Sequence, residues 1–459
     1  MKNIVELVKS LKQNPEILEA FLKFWSVFLA LFADAKSTGN KQISEYEPDL
    51  VAAHREFSEA TLGQLLRCYD IDKPHIEYQG QTYRRNPATK ATYTGIDGPI
   101  TISRHTYRNT SGGAGICPLE MNAGLIEAKY TPGAAELVQM GSACDDYRQV
   151  CALFHKAQLL KCSKSAMHRD MKKIGERIHE EMDALNEALI STIKPIEGAV
   201  SVSVSLDRTG IPTEEELSAK EKQNKESKFK VVKRQAYCGS LTIHDSEAKS
   251  LQIYRFAALP DEGDCIQSRM KEALEAIQEE NELEVILISD GASEMLSRVR
   301  QIAGDSEVSI QLVDCYHSLQ YLSDAIEARR GVGMSYAQLK EILITCDDGA
   351  AQVLGLMRSW SVKKNKADKY QASIRFFENH LHQMQYANAR AQGFVIGSGS
   401  VESTCKCVVA TRMKRNGSRW KPPGSRPIIH TRALLKSSQT VWDSATTVLW
   451  KSYHTPVSA

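Results

Sequence analysis

The chain has 459 residues, of which 42% are hydrophobic and 25% charged, and a net charge of +2. That length allows two or three domains with cores of their own, and the composition excludes a fibrous or low-complexity protein. Eleven cysteines and no cleavable signal pattern at the first residues predict reduced thiols in a cytoplasmic protein.

Residues 1–77 read as a helical region, with joints at Asn14-Pro15 and in the polar segment 36–48. Its most apolar run, Ile17 to Ala33, carries Glu19 and Lys23 near one end beside Phe21, Phe24, Trp25, Phe28 and Phe32. Two charges so placed argue against a membrane span. They predict an amphipathic helix that packs on a partner helix or a second subunit. Residues 78–130 change to strand and turn, and the runs 81–85, 91–99 and 100–108 predict a small antiparallel β meander.

Residues 131–198 return to helical periodicity, opened by Thr131 as cap and Pro132 at the first helical position. Helices over 145–154 and 163–174 with a short turn between them predict a helix-turn-helix-like, DNA-binding region. Lys164, Ser165, His168, Arg169 and Lys172 of the second helix would face DNA. The same hairpin serves equally as packed core. Cys144, Cys151, His155 and Cys162 are spaced too loosely to favour zinc. A charged helix over 178–193 then leads into the next region.

Residues 199–317 hold the strongest strand patterns. Asp207 closes the run 199–206, and Asp290 closes 283–289. Between them lie a charged segment, 214–228, read as a solvated loop, then a hairpin of strands 235–243 and 251–256, then a helix over 264–279. A helix over 293–302 and a last strand, 308–314, follow. Three antiparallel strands and then strands alternating with helices predict an α/β fold with a ribonuclease-H-like mixed sheet. Residues 318–392 are helical throughout and form an all-α insertion, with His380 and His382 on a solvated helix.

In the final region, 393–459, the glycine-rich stretch Gly397-Ser398-Gly399-Ser400-Val401 opens a helix bearing Glu402. From Ser403 to Trp442 there is no Asp or Glu, whereas Lys406, Arg412, Lys414, Arg415, Arg419 and Lys421 are all cationic and read as DNA contacts. Cys405 and Cys407 read as buried thiols. Two strand-borne acids and one helix-borne acid make a hard, oxygen-rich set suited to Mg²⁺ or Mn²⁺ rather than Zn²⁺. In a two-ion site the cations sit roughly 3.5–4 Å apart. Asp207 would bridge them, and Asp290 and Glu402 would each complete one shell.

The segments Ser205-Leu206-Asp207-Arg208-Thr209-Gly210, Ile288-Ser289-Asp290-Gly291-Ala292, Asp314-Cys315-Tyr316-His317 and Gly397-Ser398-Gly399-Ser400-Val401-Glu402-Ser403 together resemble the DDE transposases of bacterial insertion sequences, near their Mutator-like and Kra-type groups. The resemblance runs from roughly Pro118 to Trp450, and is most specific at Glu402 and the following Arg412 to Trp420. It implies an Mg²⁺-dependent enzyme of the bacterial nucleoid that cleaves DNA and transfers strands at terminal inverted repeats. It also implies Asp207, Asp290 and Glu402 as the catalytic triad, and a dimer or larger assembly on DNA with the aromatic N-terminal helix as candidate interface. Asp314 and His317 match a motif that follows the last core strand in Mutator-like relatives, where His317 would position a phosphate or relay a proton. A structural imidazole capping the next helix is the other reading. Relatives with paired cysteines in the β meander are not matched, because only Cys117 stands there, which argues against a zinc ribbon. A catalytically inactive or domesticated DNA-binding protein is the alternative function.

Overall fold

The computed structural model describes residues 14–38, 41–217 and 229–458. The helix expected ahead of Asn14 and most of the charged 214–228 segment lie outside them. The chain divides into two compact units, one built from residues up to Arg177 with those from Thr446 onward, the other from Ile178–Ala445. Among the described residues no helix is long and apolar enough to cross a membrane.

In the first unit α1 (Pro15–Thr38) and α2 (Ile43–Arg67) pair lengthwise, with Phe24 stacked on Phe57 at 5.8 Å and Lys23 paired to Glu56. Pro48 lies inside α2, so the joint is shorter than predicted. The start is set ahead of the proline, where the Glu45 carboxylate accepts the Gln42 N–H at 2.9 Å.

The strands β1 (His75–Tyr78), β2 (Gln81–Arg85), β3 (Thr89–Thr94), β4 (Pro99–Arg104) and β5 (Tyr107–Asn109) follow. They form a three-stranded sheet in the order β1-β2-β5 and a separate β3–β4 hairpin, not one meander. The break falls at His105. Its N–H and Nδ1 both bind the Asp70 carboxylate, at 3.1 and 2.8 Å, which ends β4 and sends the chain back to β2.

Helices α3 (Pro118–Asn122), α4 (Pro132–Cys144), α5 (Tyr147–Lys156) and α6 (Lys164–Glu180) complete this part of the chain. Thr131 and Asp146 cap α4 and α5 by accepting N–H groups of the first turns. The α6 face of Met167, Asp170, Met171 and Ile174 is buried. The helix expected over 178–193 is broken at Glu181, where α6 gives way to α7 (Met182–Ile190).

The second unit is built on β6 (Ser201–Glu216), β7 (Phe229–His244), β8 (Ser250–Ala258), α8 (Gly263–Glu280), β9 (Glu284–Ser289), α9 (Ser293–Ala303) and β10 (Val308–Val313). These strands make one mixed sheet in the order β8-β7-β6-β9-β10. β7 is antiparallel to both β6 and β8, whereas β9 is parallel to both β6 and β10. β6 and β7 stay paired as far as Glu216 and Phe229, so Glu214, Glu215 and Glu216 belong to a strand rather than to the predicted loop. Glu215 finds Arg234 on the neighbouring strand, and Glu214 lies 3.3 Å from Lys421.

After β10 come α10 (Cys315–Ala328), α11 (Tyr336–Thr345), α12 (Gly349–Arg358), α13 (Ala367–His380) and α14 (Tyr386–Ala391). Leu319, Leu322, Leu339, Val353, Met357 and Phe377 give these helices a core of their own. Then α15 (Gly399–Thr404) runs through a π-helical turn, Cys405–Ala410, into α16 (Thr411–Met413), and α17 (Pro422–Ser437) and α18 (Gln439–Lys451) end the described chain.

Candidate functional site

Side chains alternate along a strand, so in β6 Val202, Val204 and Leu206 share one face and Ser203, Ser205 and Asp207 the other. Leu206 lies opposite Gly239 of β7, and Met270 of α8 presses on that glycine so closely that a Cβ has no room. The valine face is therefore the α8 side. On the serine face Ser205 pairs with Ser240, whose Oγ is 3.1 Å from Ser400 Oγ of α15. Small hydroxyl residues let α15 approach the sheet closely, and Asp207 shares the face that α15 covers.

Asp207 does not close its strand: it is the seventh residue of a 16-residue β6. What ends beside it is the parallel neighbour, because β6–β9 pairing stops at Ser205 and Ile288. β9–β10 pairing stops at Ser289 and Val313. Continuing both registers puts Asp207, Asp290 and Asp314 level across β6, β9 and β10, at the point where the sheet opens.

Asp314 is fully buried and caps α10. Its Oδ2 accepts the His317 N–H at 3.0 Å and faces His317 Nδ1 at 2.6 Å, while its Oδ1 accepts the Ser398 N–H at 2.7 Å. An ionised carboxylate only accepts, so Nδ1 carries the proton. Burial opposes ionisation of Asp314, but the His317 and Ser398 donors together hold the carboxyl below its usual value. The imidazole responds in kind: its bond to Asp314 raises the His317 pKa, with smaller contributions from Asp290 and Asp207.

Asp314, His317 and Glu402 offer ligand atoms all within 4.8 Å of one another, and this group could hold a metal ion. Asp207 and Asp290 fall outside that compact trio but within its electrostatic reach. Burial, then the Asp290 charge, raise the Asp207 carboxyl against the stabilising Arg208 N–H at 2.6 Å. Glu402 is itself exposed, yet partial desolvation, then Asp314 and Asp207, likewise raise it. Carboxylates that repel one another in a half-buried cleft are the donor set a hard cation neutralises.

Two close approaches shape the cleft. Gly397 packs on the Tyr316 ring, where a Cβ would come within 2.7 Å, so the turn before Glu402 lies flat on the start of α10. Gly291, with φ +90°, sits against His380 and Phe376 of α13, both 3.1 Å from where a Cβ would be. His380 is thus half-buried beside the Asp290 turn rather than on a solvated helix; His382 is exposed as predicted. Cys405, also half-buried, brings Sγ to 3.6 Å from Asp207 Oδ2. The sequence carries no periodicity that would have singled out His380, whereas Cys405 lies one helical turn from Glu402 and was findable on that ground.

The basic segment divides by burial. Lys406, Lys414, Arg415, Arg419 and Lys421 are exposed, although Lys414 reaches Thr209, Arg415 donates to the Thr411 carbonyl at 3.1 Å and Lys421 covers the Phe229 ring at 4.4 Å. Arg412 is a correction: it is only 4% exposed, its guanidinium 5.0 Å from the Trp420 ring centre, so it supports the fold instead of meeting a ligand. In the first unit Lys164, Ser165, His168 and Arg169 are exposed on one side of α6, with Lys172 half-buried. His168 edges the Tyr147 ring, and burial with Lys172 and Lys164 nearby lowers its pKa.

Among the described residues Cys144, Cys151, His155 and Cys162 form no metal-ligand group. Cys151 and Cys162 do meet, Sγ to Sγ, at 3.2 Å. A scan of protein-family models and a search of curated proteins give no match to this chain.

Proposed function

We propose that the second unit is a ribonuclease-H-like catalytic domain with a helical insertion, and that the protein is a DDE-type transposase performing phosphodiester cleavage and strand transfer on DNA. The observation that supports this most is electrostatic: burial and then the Asp290 charge raise the Asp207 carboxyl, and partial desolvation with the Asp314 and Asp207 charges raises Glu402. The strand order β8-β7-β6-β9-β10, three antiparallel strands then two parallel ones, supports the ribonuclease-H-like reading. The helical segment between β10 and α15 would be the insertion.

The donor set fits a hard divalent cation such as Mg²⁺ or Mn²⁺. Asp207, Asp290 and Glu402 would hold it, while Asp314, with its oxygens engaged by three N–H donors, serves to orient His317. When bound, such an ion offsets the charge that accumulates on a phosphate under in-line attack. With its Nδ1 proton directed to Asp314, His317 would use Nε2 to donate to a phosphate oxygen when protonated. The exposed α6 cations and the exposed basic residues after Glu402 would bind the DNA backbone.

The test is incubation of the purified protein with Mg²⁺ and duplexes carrying candidate terminal inverted repeats taken from the DNA on either side of its reading frame. Site-specific nicking or joining is expected, lost in Asp207→Asn and Glu402→Gln with DNA binding retained. Full turnover in both variants rules out this catalytic assignment.

A further inference from the structure

Helix α1 is apolar on two faces. One, including Phe24, is covered by α2. The other leaves Leu22 55%, Trp25 45%, Leu29 47% and Phe32 51% exposed. A helix that is hydrophobic all round is ordinarily buried on all sides, and a contiguous patch of this kind marks a contact surface.

The spacing of the four residues identifies what covers them. Steps of three, four and three are the seam of a two-stranded coiled coil. The pattern also reads the same in both directions about Val27, so the stripe is complementary to itself turned end for end. A second α1 laid antiparallel across a two-fold axis sets Leu22 against Phe32 and Trp25 against Leu29, twice each. Isologous contacts of this sort close after two copies. Charge fits as well, because Lys36 of one copy falls opposite Leu18 of the other, next to Glu19, and both charged residues are exposed. Lys36 already lies over the Phe32 ring at 4.7 Å, at the end of the stripe. The other charges of the helix are turned aside, Lys23 to Glu56 and Asp34 to Lys41. Stacking of Trp25 on Phe28 at 5.1 Å and of Phe28 on Phe32 at 6.1 Å stiffens the face before any partner arrives.

We propose that this face joins two copies of the chain through antiparallel α1 helices, independently of any catalytic activity. A bundle of four helices results, α1 and α2 from each copy. Two charges introduced at Leu29 face two Trp25 rings per dimer and separate the copies.

Sedimentation equilibrium of the full chain, with its 51.1 kDa monomer mass, is the first test. A mass of two chains is expected, falling to one in Leu29→Glu and Trp25→Glu with unchanged helical circular dichroism. Leu153→Glu, an exposed leucine on α5, leaves the dimer intact. A second measurement does not depend on those variants folding. Mixed Leu22→Cys and Phe32→Cys chains, oxidised together, form an intermolecular disulfide between positions 22 and 32, identified by mass spectrometry of the linked peptides. Neither variant alone forms a bridge through its new cysteine. A monomeric unmodified chain, its stripe covered by its own first residues, overturns the proposal. So does a dimer undiminished by both glutamates, or cross-linking of position 22 to itself.

Discussion

The Asp314 carboxylate and the His317 imidazole lie 2.6 Å apart, and the other oxygen of the same carboxylate holds the Ser398 N–H four residues before Glu402. One buried group thus sets the tautomer of an imidazole and the entry of the helix that carries Glu402. Asp314→Asn keeps the volume but replaces an acceptor by a donor, which must face one of these N–H groups. Hydrogen bonds to a buried charge contribute about 1.5–3 kcal/mol each, so a loss of at least 3 kcal/mol is expected in denaturant unfolding. The histidine ¹⁵N spectrum separates this from general damage: His317 should lose its fixed Nδ1 proton in Asp314→Asn and keep it in Ser318→Ala.

The cleft carboxylates should cost stability while no cation is bound. A carboxyl whose pKa is higher folded than unfolded destabilises the fold once ionised: the unfavourable contribution is absent below the unfolded value, grows as pH rises from there to the folded value, and is constant above it. Asp207 and Glu402 are both raised. In chelator, Asp207→Asn and Glu402→Gln should therefore raise the melting temperature at neutral pH by about 2 °C, with the gain disappearing in acid. Unchanged or lowered melting temperatures speak against mutual repulsion in the cleft.

Burial separates Arg412 from Arg419 in the basic segment. Arg419→Ala should weaken DNA binding and reduce the salt slope by about one unit, because an exposed cation releases counterions from the backbone. Arg412→Ala should leave the slope alone and lower stability by about 1–2 kcal/mol, since its guanidinium is spent on Trp420. Binding titrations at several salt concentrations, beside thermal melts, distinguish the two.

Glu262 anchors α17 to the sheet. It accepts Arg426 Nε at 2.7 Å, the Leu259 N–H at 2.9 Å and Nε2 of His430 at 3.2 Å. Burial acts against the charge, but these donors bring the carboxyl from 4.5 down to about 2. Its stabilisation is fully present above about pH 4.5 and is lost as pH falls toward 2. Acid unfolding should show a contribution of about 3 kcal/mol over that window, absent in Glu262→Gln.

Much of the sheet was legible because β6 and β9 have the long β-branched and apolar runs of a buried layer, and because helices alternate with the later strands. Glu402 was legible through residue type and position, but the group with ligand spacing joins it to Asp314 and His317 rather than to Asp207 and Asp290. The rest depended on contacts distant in sequence. Asp207 looked like a strand end because the hydrophobic run stops there, yet pairing with β7 carries β6 on to Glu216. Asp314 was noticed through its spacing to His317, but its bond to Ser398 spans 84 residues. Arg412 reads as one more cation in a row; only its packing against Trp420 removes it from the surface. His380 reaches Gly291 by way of the whole helical insertion, a distance no local pattern encodes.

Titration with Mn²⁺ followed by electron paramagnetic resonance addresses the proposed metal site directly, in the absence of DNA. Binding to the unmodified chain that is weakened at least tenfold in each of Asp207→Asn, Asp290→Asn and Glu402→Gln is the expected result. Binding that survives in Asp207→Asn and Asp290→Asn but disappears in Asp314→Asn contradicts it, and moves the ion to the Asp314–His317–Glu402 trio.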